Sequence, residues 1–222
     1  MNLGSIAKFL VPHKTIPQTP WRADHRWQLS FPRVAILFFG LAIFGLGDSL
    51  LIQGNIGNAP WTVFAEGVSI KSGWSIGFST FVISIGVLLI WIPLRERPGF
   101  GTLSNIVIIA TFIQVGISIL PQQENYFSGI AFSLIGIALV GVGSALYITC
   151  GLGPGPRDGA MTGIHARTGI RVSRVRLGIE ATVLAIGILL NGNFGLGTLL
   201  FALLIGESVA ISLGILARLT TK

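Results

Sequence analysis

Six long apolar stretches separated by short polar breaks dominate residues 34–216: Val34 to Gln53, Ile76 to Leu94, Leu103 to Leu120, Ile130 to Cys150, Val172 to Leu190 and Leu196 to Leu216. Most approach the roughly 20 residues that a helix needs to cross the hydrocarbon of a bilayer, so the pattern predicts membrane-spanning helices. The fifth is the weakest. Its charge-free part, Leu177 to Leu190, is short, which puts the turn carrying Arg174 and Arg176 at the interface with its guanidiniums reaching toward headgroups. A re-entrant segment is the alternative for so short a run, and the charge distribution described below favours a crossing.

Two of the breaks predict further, shorter helices. Gly57-Asn58-Ala59-Pro60 follows the first span and Gly153-Pro154-Gly155-Pro156 follows the fourth. Glycine opens backbone conformations closed to other residues, and proline ends one helix and suits the first turn of the next. The expected helices run from Trp61 to Ser69 and from Arg157 to Ala166, and neither is long enough to span. If they dip into the membrane, their N-terminal N–H groups and positive dipole ends face a shared cavity suited to an anionic or strongly polar group. If they lie at the surface, the breaks are ordinary turns. Irregular backbone at membrane depth is tolerated only where protein or a water-filled cavity surrounds it.

The two breaks belong to a longer repeat. Sliding Gly40 to Leu120 onto Gly136 to Leu216 at an offset of 96 pairs eight glycines, among them Gly47 with Gly143, Gly57 with Gly153 and Gly101 with Gly197, together with Pro60 and Pro156. Chance placement would give about two such coincidences, so the period is real. The middle of the repeat, around the second and fifth spans, matches in length alone. Each unit holds three crossings, an odd number, so the second unit enters the membrane from the opposite side and the two are inverted.

Charge supports this topology. Of fifteen Lys and Arg residues, fourteen fall in alternate segments: the leader, the loop with Arg95 and Arg97, the loop from Arg157 to Arg176, and the tail; Lys71 alone lies on the other side. The positive-inside rule then places both termini in the cytoplasm. Composition agrees, with 51% hydrophobic and 10% charged residues and a mean hydropathy of +0.79, values that leave too little polar surface for a water-soluble domain. The net charge of +7 reads as topology signal and lipid-headgroup contact, with the bilayer and not nucleic acid as partner. The expected fold is an all-α integral membrane protein with six transmembrane helices in two inverted three-helix repeats. Its parts are a cytoplasmic leader (1–33), a first repeat (34–120), a second repeat (130–216) and a cytoplasmic tail (217–222). Within the leader, Leu3, Ile6, Ala7, Leu10 and Val11 share one helical face, which suits an interfacial helix as well as a disordered tail.

Ionisable groups near hydrocarbon point to function, because each costs about 3 kcal/mol or more unless paired or hydrated. Asp48, Glu66, Arg157, Asp158, His165, Glu180 and Glu207 qualify. Asp48 reads best as a solvated residue near the outer interface, and Glu66 and His165 suit the membrane surface equally well. Glu180 and Glu207 are the deepest carboxylates, with Arg157 a partner for either; alternatively, Glu180 ties the fourth loop down through Arg157, Arg174 or Arg176. The expected solute site comprises Asn58, Pro60, Trp61, Gly153, Pro156, Arg157, Asp158, Glu180 and Glu207. Ala202, Gly206, Ala210 and Gly214 form a small-residue stripe for helix packing, within the bundle or in a homodimer. The histidines lack metal-ligand spacing, Cys150 is the lone cysteine, and Gly151 to Pro156 lacks the Lys-Ser/Thr ending of a phosphate loop, so neither a soluble enzyme nor a cofactor is expected.

Asn58-Ala-Pro-Trp61, Pro98-Gly-Phe-Gly-Thr102 and above all Gly153-Pro-Gly-Pro-Arg-Asp-Gly159 resemble the YczE-type bacterial integral membrane proteins, often grouped with YyaS and YitT. The resemblance runs from Arg33 to Leu216 and implies a bacterial cytoplasmic-membrane protein, with no established site residues to carry over. The expected function is a secondary transporter or permease for a small polar or anionic solute, the alternative a non-transporting accessory or substrate-capture subunit acting with a partner protein.

Overall fold

A computed structural model describes residues 15–220. The helix expected near Leu3 to Val11 lies outside that range. Eight helices follow in order: α1 (Phe31–Gly54), α2 (Pro60–Ser72), α3 (Ile76–Leu94), α4 (Phe100–Ile119), α5 (Tyr126–Thr149), α6 (Pro156–Thr168), α7 (Val172–Leu189) and α8 (Leu196–Thr220). The described residues contain no strand. Five helices, α1, α3, α4, α5 and α8, are long and apolar enough to cross a membrane. The 18-residue α7, which carries Arg174, Arg176 and Glu180, is not among them.

The outside of the bundle is oily and its inside is partly polar. Leu189 is 80% exposed and Leu203 75%, whereas Ser49, Ser79, Thr102, Ser133 and Thr149 are fully buried. Lipid contact accepts that arrangement and water does not, because hydrocarbon gives Leu side chains nothing to escape from and polar groups must bond inward.

α1 and α5 form the central pair, and glycine sets how closely they approach. A Cβ at Gly47 would lie 2.8 Å from Gly136 O, and a Cβ at Gly40 would lie 3.1 Å from Gly143 O. α4 packs on α1 and α8 on α5; α3 leans on α6, and α2 on α7. The Gly/Pro breaks lock onto the starts of distant helices. Gly101 N donates to Leu152 O and Gly197 N donates to Ile56 O, each at 2.8 Å. Gly57 and Gly153 sit at φ +116 and +113, a region that favours glycine.

In one respect the two halves differ. α3 packs closely on α4 because Gly77 has no side chain: a Cβ there would lie 2.7 Å from Ala110 O. The Gly77 amide also donates to Gln114 Oε1 at 3.2 Å. The residues 96 further on are Ser173, Gly206 and Ala210. Ser173 is exposed, and α7 leaves α8 largely untouched. The small-residue stripe of α8 accordingly does not serve one helix contact: Gly214 is buried while Ala202 and Gly206 are exposed.

Part of the leader is ordered coil. Ala23 N donates to Cys150 O at 2.9 Å, Thr19 Oγ1 to Thr149 O at 3.1 Å and Trp21 Nε1 to Thr149 Oγ1 at 3.2 Å, so residues 19–23 cap the end of α5.

Candidate functional site

α2 and α6 both begin at a proline, Pro60 and Pro156, after N-cap residues (Ala59 and Gly155) that offer no side-chain cap. Their first turns therefore present N–H groups that no side chain claims. The next residues, Trp61 and Arg157, meet in the middle of the protein: the Arg157 guanidinium lies over the Trp61 ring, 4.8 Å from its centroid. Such stacking holds a planar cation while leaving its N–H donors at the edges free. No hydrogen bond or ion pair to Arg157 occurs among the described residues.

Around this pair lies a cavity of about 280 Å³. Its walls come from α1 to α8, and residues 96 apart face it together: Asp48 with Ser144, Trp61 with Arg157, Thr80 with Arg176, and Ser84 with Glu180. On the α7 and α8 side it reaches Arg176 and Gly206, both exposed. A Cβ on Gly206 would meet nothing within 4 Å.

Asp48 corrects the sequence-based expectation most sharply. It is 1% exposed and lines the cavity instead of resting in water at the outer interface. Its Oδ1 has no hydrogen-bond partner, and neither does the buried Trp61 Nε1. Asp158, on the first turn of α6, accepts a 2.8 Å hydrogen bond from the Tyr147 hydroxyl. Glu180 pairs with Arg176, one of the three partners expected for it, at 2.9 Å and one turn away on its own helix.

Of the nine residues expected at a solute site, Pro60, Trp61, Arg157, Asp158 and Glu180 line the cavity. The other four stand outside it. Asn58 is a clamp: its Nδ2 donates to Glu66 Oε2 at 2.8 Å, and the same oxygen accepts from Asn193 N at 2.7 Å. Glu66 is thereby tied into the protein. Gly153 packs against Gly99 and Thr102, and the Pro156 carbonyl accepts from Trp91 Nε1 at 2.9 Å. Glu207 faces outward on α8. His165 closes the end of α6 through a 2.7 Å contact between its Nδ1 and Ile170 O. Sequence reasoning missed Asp48, Tyr147 and Arg176 as cavity residues. Arg176 lies 96 residues after Thr80, but that stretch of the repeat matches in length alone, and only the cavity wall shows the pairing.

Among the described residues no group of three or more His, Cys, Asp and Glu side chains could hold a metal ion. Residues 31–213 match a protein family described as being of unknown function, DUF6198. The chain belongs to that family. It is 46% identical to a Haemophilus influenzae protein described as uncharacterized, over 93% of this chain and 94% of the relative. The uncharacterized membrane protein YczE of Bacillus subtilis is 36% identical over 82% of this chain and 85% of its own length, and YyaS of the same organism is 28% identical over 81% and 91%. No solved structure matches the chain. Family membership and the apolar helices agree that this is a YczE-like integral membrane protein.

Proposed function

We propose that this protein is a secondary transporter or permease for a small polar or anionic solute, built of two inverted three-helix repeats and residing in the bacterial cytoplasmic membrane. The observation that carries this reading is the cavity wall, where residues 96 apart face one another around the stacked Trp61 and Arg157. Such a wall is expected where a pseudo-two-fold axis runs through a solute site. The contacts elsewhere support the same axis. The offset turns the Gly40–Gly143 approach into Gly136–Gly47, and the Gly101–Leu152 hydrogen bond into Gly197–Ile56.

In this reading α7 is the sixth crossing. Its 18 residues extend about 27 Å at 1.5 Å per residue, near the thickness of the hydrocarbon core, with Arg174 reaching the headgroups and Arg176 turned to Glu180 in the cavity wall. Both termini then lie in the cytoplasm. Transport through such a fold requires the repeats to exchange conformations about a fixed site. The closed α3–α4 contact beside the parted α7 and α8 supports that exchange, since the two halves hold unlike states of one design.

The test is flux. Purified protein reconstituted in liposomes is loaded with radiolabelled glycine, alanine, taurine, lactate, phosphate or sulfate in turn, and uptake is compared with empty liposomes and with Arg157→Gln. Uptake of at least one solute that the substitution removes supports a transporter. Binding without uptake favours the accessory subunit, and neither binding nor uptake sets the solute site aside.

A further inference from the structure

Resting on that reading of the cavity, we infer that its solute is an amino-acid-sized zwitterion, with an anionic group on Arg157 and a cationic group toward Asp48. Three unsatisfied groups point to it. The Arg157 guanidinium makes no hydrogen bond or ion pair among the described residues, and it is only half-buried, so its donors open into the cavity. The buried Trp61 Nε1 beside it is a second idle donor, and the buried Asp48 Oδ1 is an idle acceptor. Buried polar atoms are rarely left unpaired, because each unmade bond costs the full desolvation of the group. A ligand able to use both kinds must bring acceptors to Arg157 and a donor to Asp48.

Charge narrows the class further. The wall holds Arg157 and Arg176 against Asp48, Asp158 and Glu180. Arg176 and Glu180 already answer each other at 2.9 Å, and Asp158 receives the Tyr147 hydroxyl. With every group ionised, carboxylates outnumber guanidiniums by one. A bare anion would satisfy Arg157 while adding negative charge beside Asp48 and Asp158, at a dielectric far below that of water. A bare cation would satisfy Asp48 and leave the guanidinium idle. A molecule with both charges satisfies each pole and adds no net charge. It also fits: a cavity of about 150 Å³ already holds the six heavy atoms of benzene, so about 280 Å³ holds roughly a dozen heavy atoms, enough for an amino acid and its side chain. The planar oxyanion suits the in-plane donors of a guanidinium fixed flat on an indole.

The experiment compares alanine with its two halves, propionate, which lacks the ammonium, and ethylamine, which lacks the carboxylate. Binding of each to the purified full-length protein in lipid nanodiscs is measured by calorimetry and by thermal shift. Alanine, or glycine and β-alanine in the same assay, is expected to bind at least ten-fold more tightly than either half. Asp48→Asn should bring alanine down to propionate, and Arg157→Lys should weaken alanine more than ethylamine, with the melting temperature of each variant reporting its fold. Propionate or ethylamine equal to alanine in the wild-type protein overturns the assignment, as does the absence of binding by every zwitterion in the set. The two readings fail separately. Uptake of phosphate or lactate without zwitterion binding sinks this inference and leaves the transporter standing; zwitterion binding without uptake does the reverse.

Discussion

Adding a single methyl group at four glycines tests the inferred geometry of the Gly/Pro breaks with opposite signs. Gly57 and Gly153 have φ near +115, where an L-residue is strained by about 1–3 kcal/mol. The space is also occupied. A Cβ at Gly153 would lie 2.9 Å from Thr102 Oγ1, a hydroxyl that accepts from Gly99 N at 3.1 Å and donates to Pro154 O at 2.8 Å. Displacing it weakens one or both bonds, about 1 kcal/mol each. The total for Gly153→Ala is then about 2–4 kcal/mol. At Gly57 the obstacle is backbone, with Gly195 Cα 2.8 Å from the new atom, and backbone cannot rotate away, so Gly57→Ala should cost at least as much. Gly86 and Gly178 lie within α3 and α7, and a Cβ on either meets nothing within 4 Å. There alanine should stabilise by about 0.5–1 kcal/mol through helix propensity. Unfolding by SDS in mixed micelles, followed by circular dichroism, reads all four. If the alanines at 57 and 153 shift the midpoint no more than those at 86 and 178, the tight backbone docking described here is wrong.

Three further outcomes follow from the packing. Trp91→Phe removes the indole donor to Pro156 O, the carbonyl that opens α6, and should destabilise by about 0.5–1.5 kcal/mol in the same SDS titration. Glu66→Ala removes the oxygen that joins Asn58 to Asn193; a loss of about 1.5–3 kcal/mol and faster proteolysis in the 190–195 loop are expected, and an unchanged midpoint would refute the clamp. Cys150 is fully buried, so maleimide should label it slowly in native membranes and quickly in SDS; rapid native labelling would contradict its burial under Ala23 and Arg33.

Legibility in the sequence followed the physical origin of each feature. The helices lie close to their expected positions, α3 at Ile76–Leu94 and α7 beginning at Val172, because hydrocarbon demands long internally bonded segments and Gly/Pro runs interrupt them. The short helices start at Pro60 and Pro156 for an equally local reason, since proline suits a first turn. The 96-residue spacing of glycines was also readable, because close backbone approach can use no other residue at Gly47, Gly57 or Gly153.

Only the folded protein decided which face of each helix turns inward. A helix in water declares its inner face by an apolar stripe, but α1 and α8 are apolar on every side, because the neighbouring helices and the lipid are alike to a leucine. Glu207 therefore read as the deeper carboxylate and Asp48 as a solvated residue at the outer interface, yet helix rotation puts Asp48 in the cavity wall and Glu207 on the outer surface. The stacking of Trp61 on Arg157 was hidden for a related reason: the pair is 96 residues apart, and it meets only when two short helices point their first turns at one another.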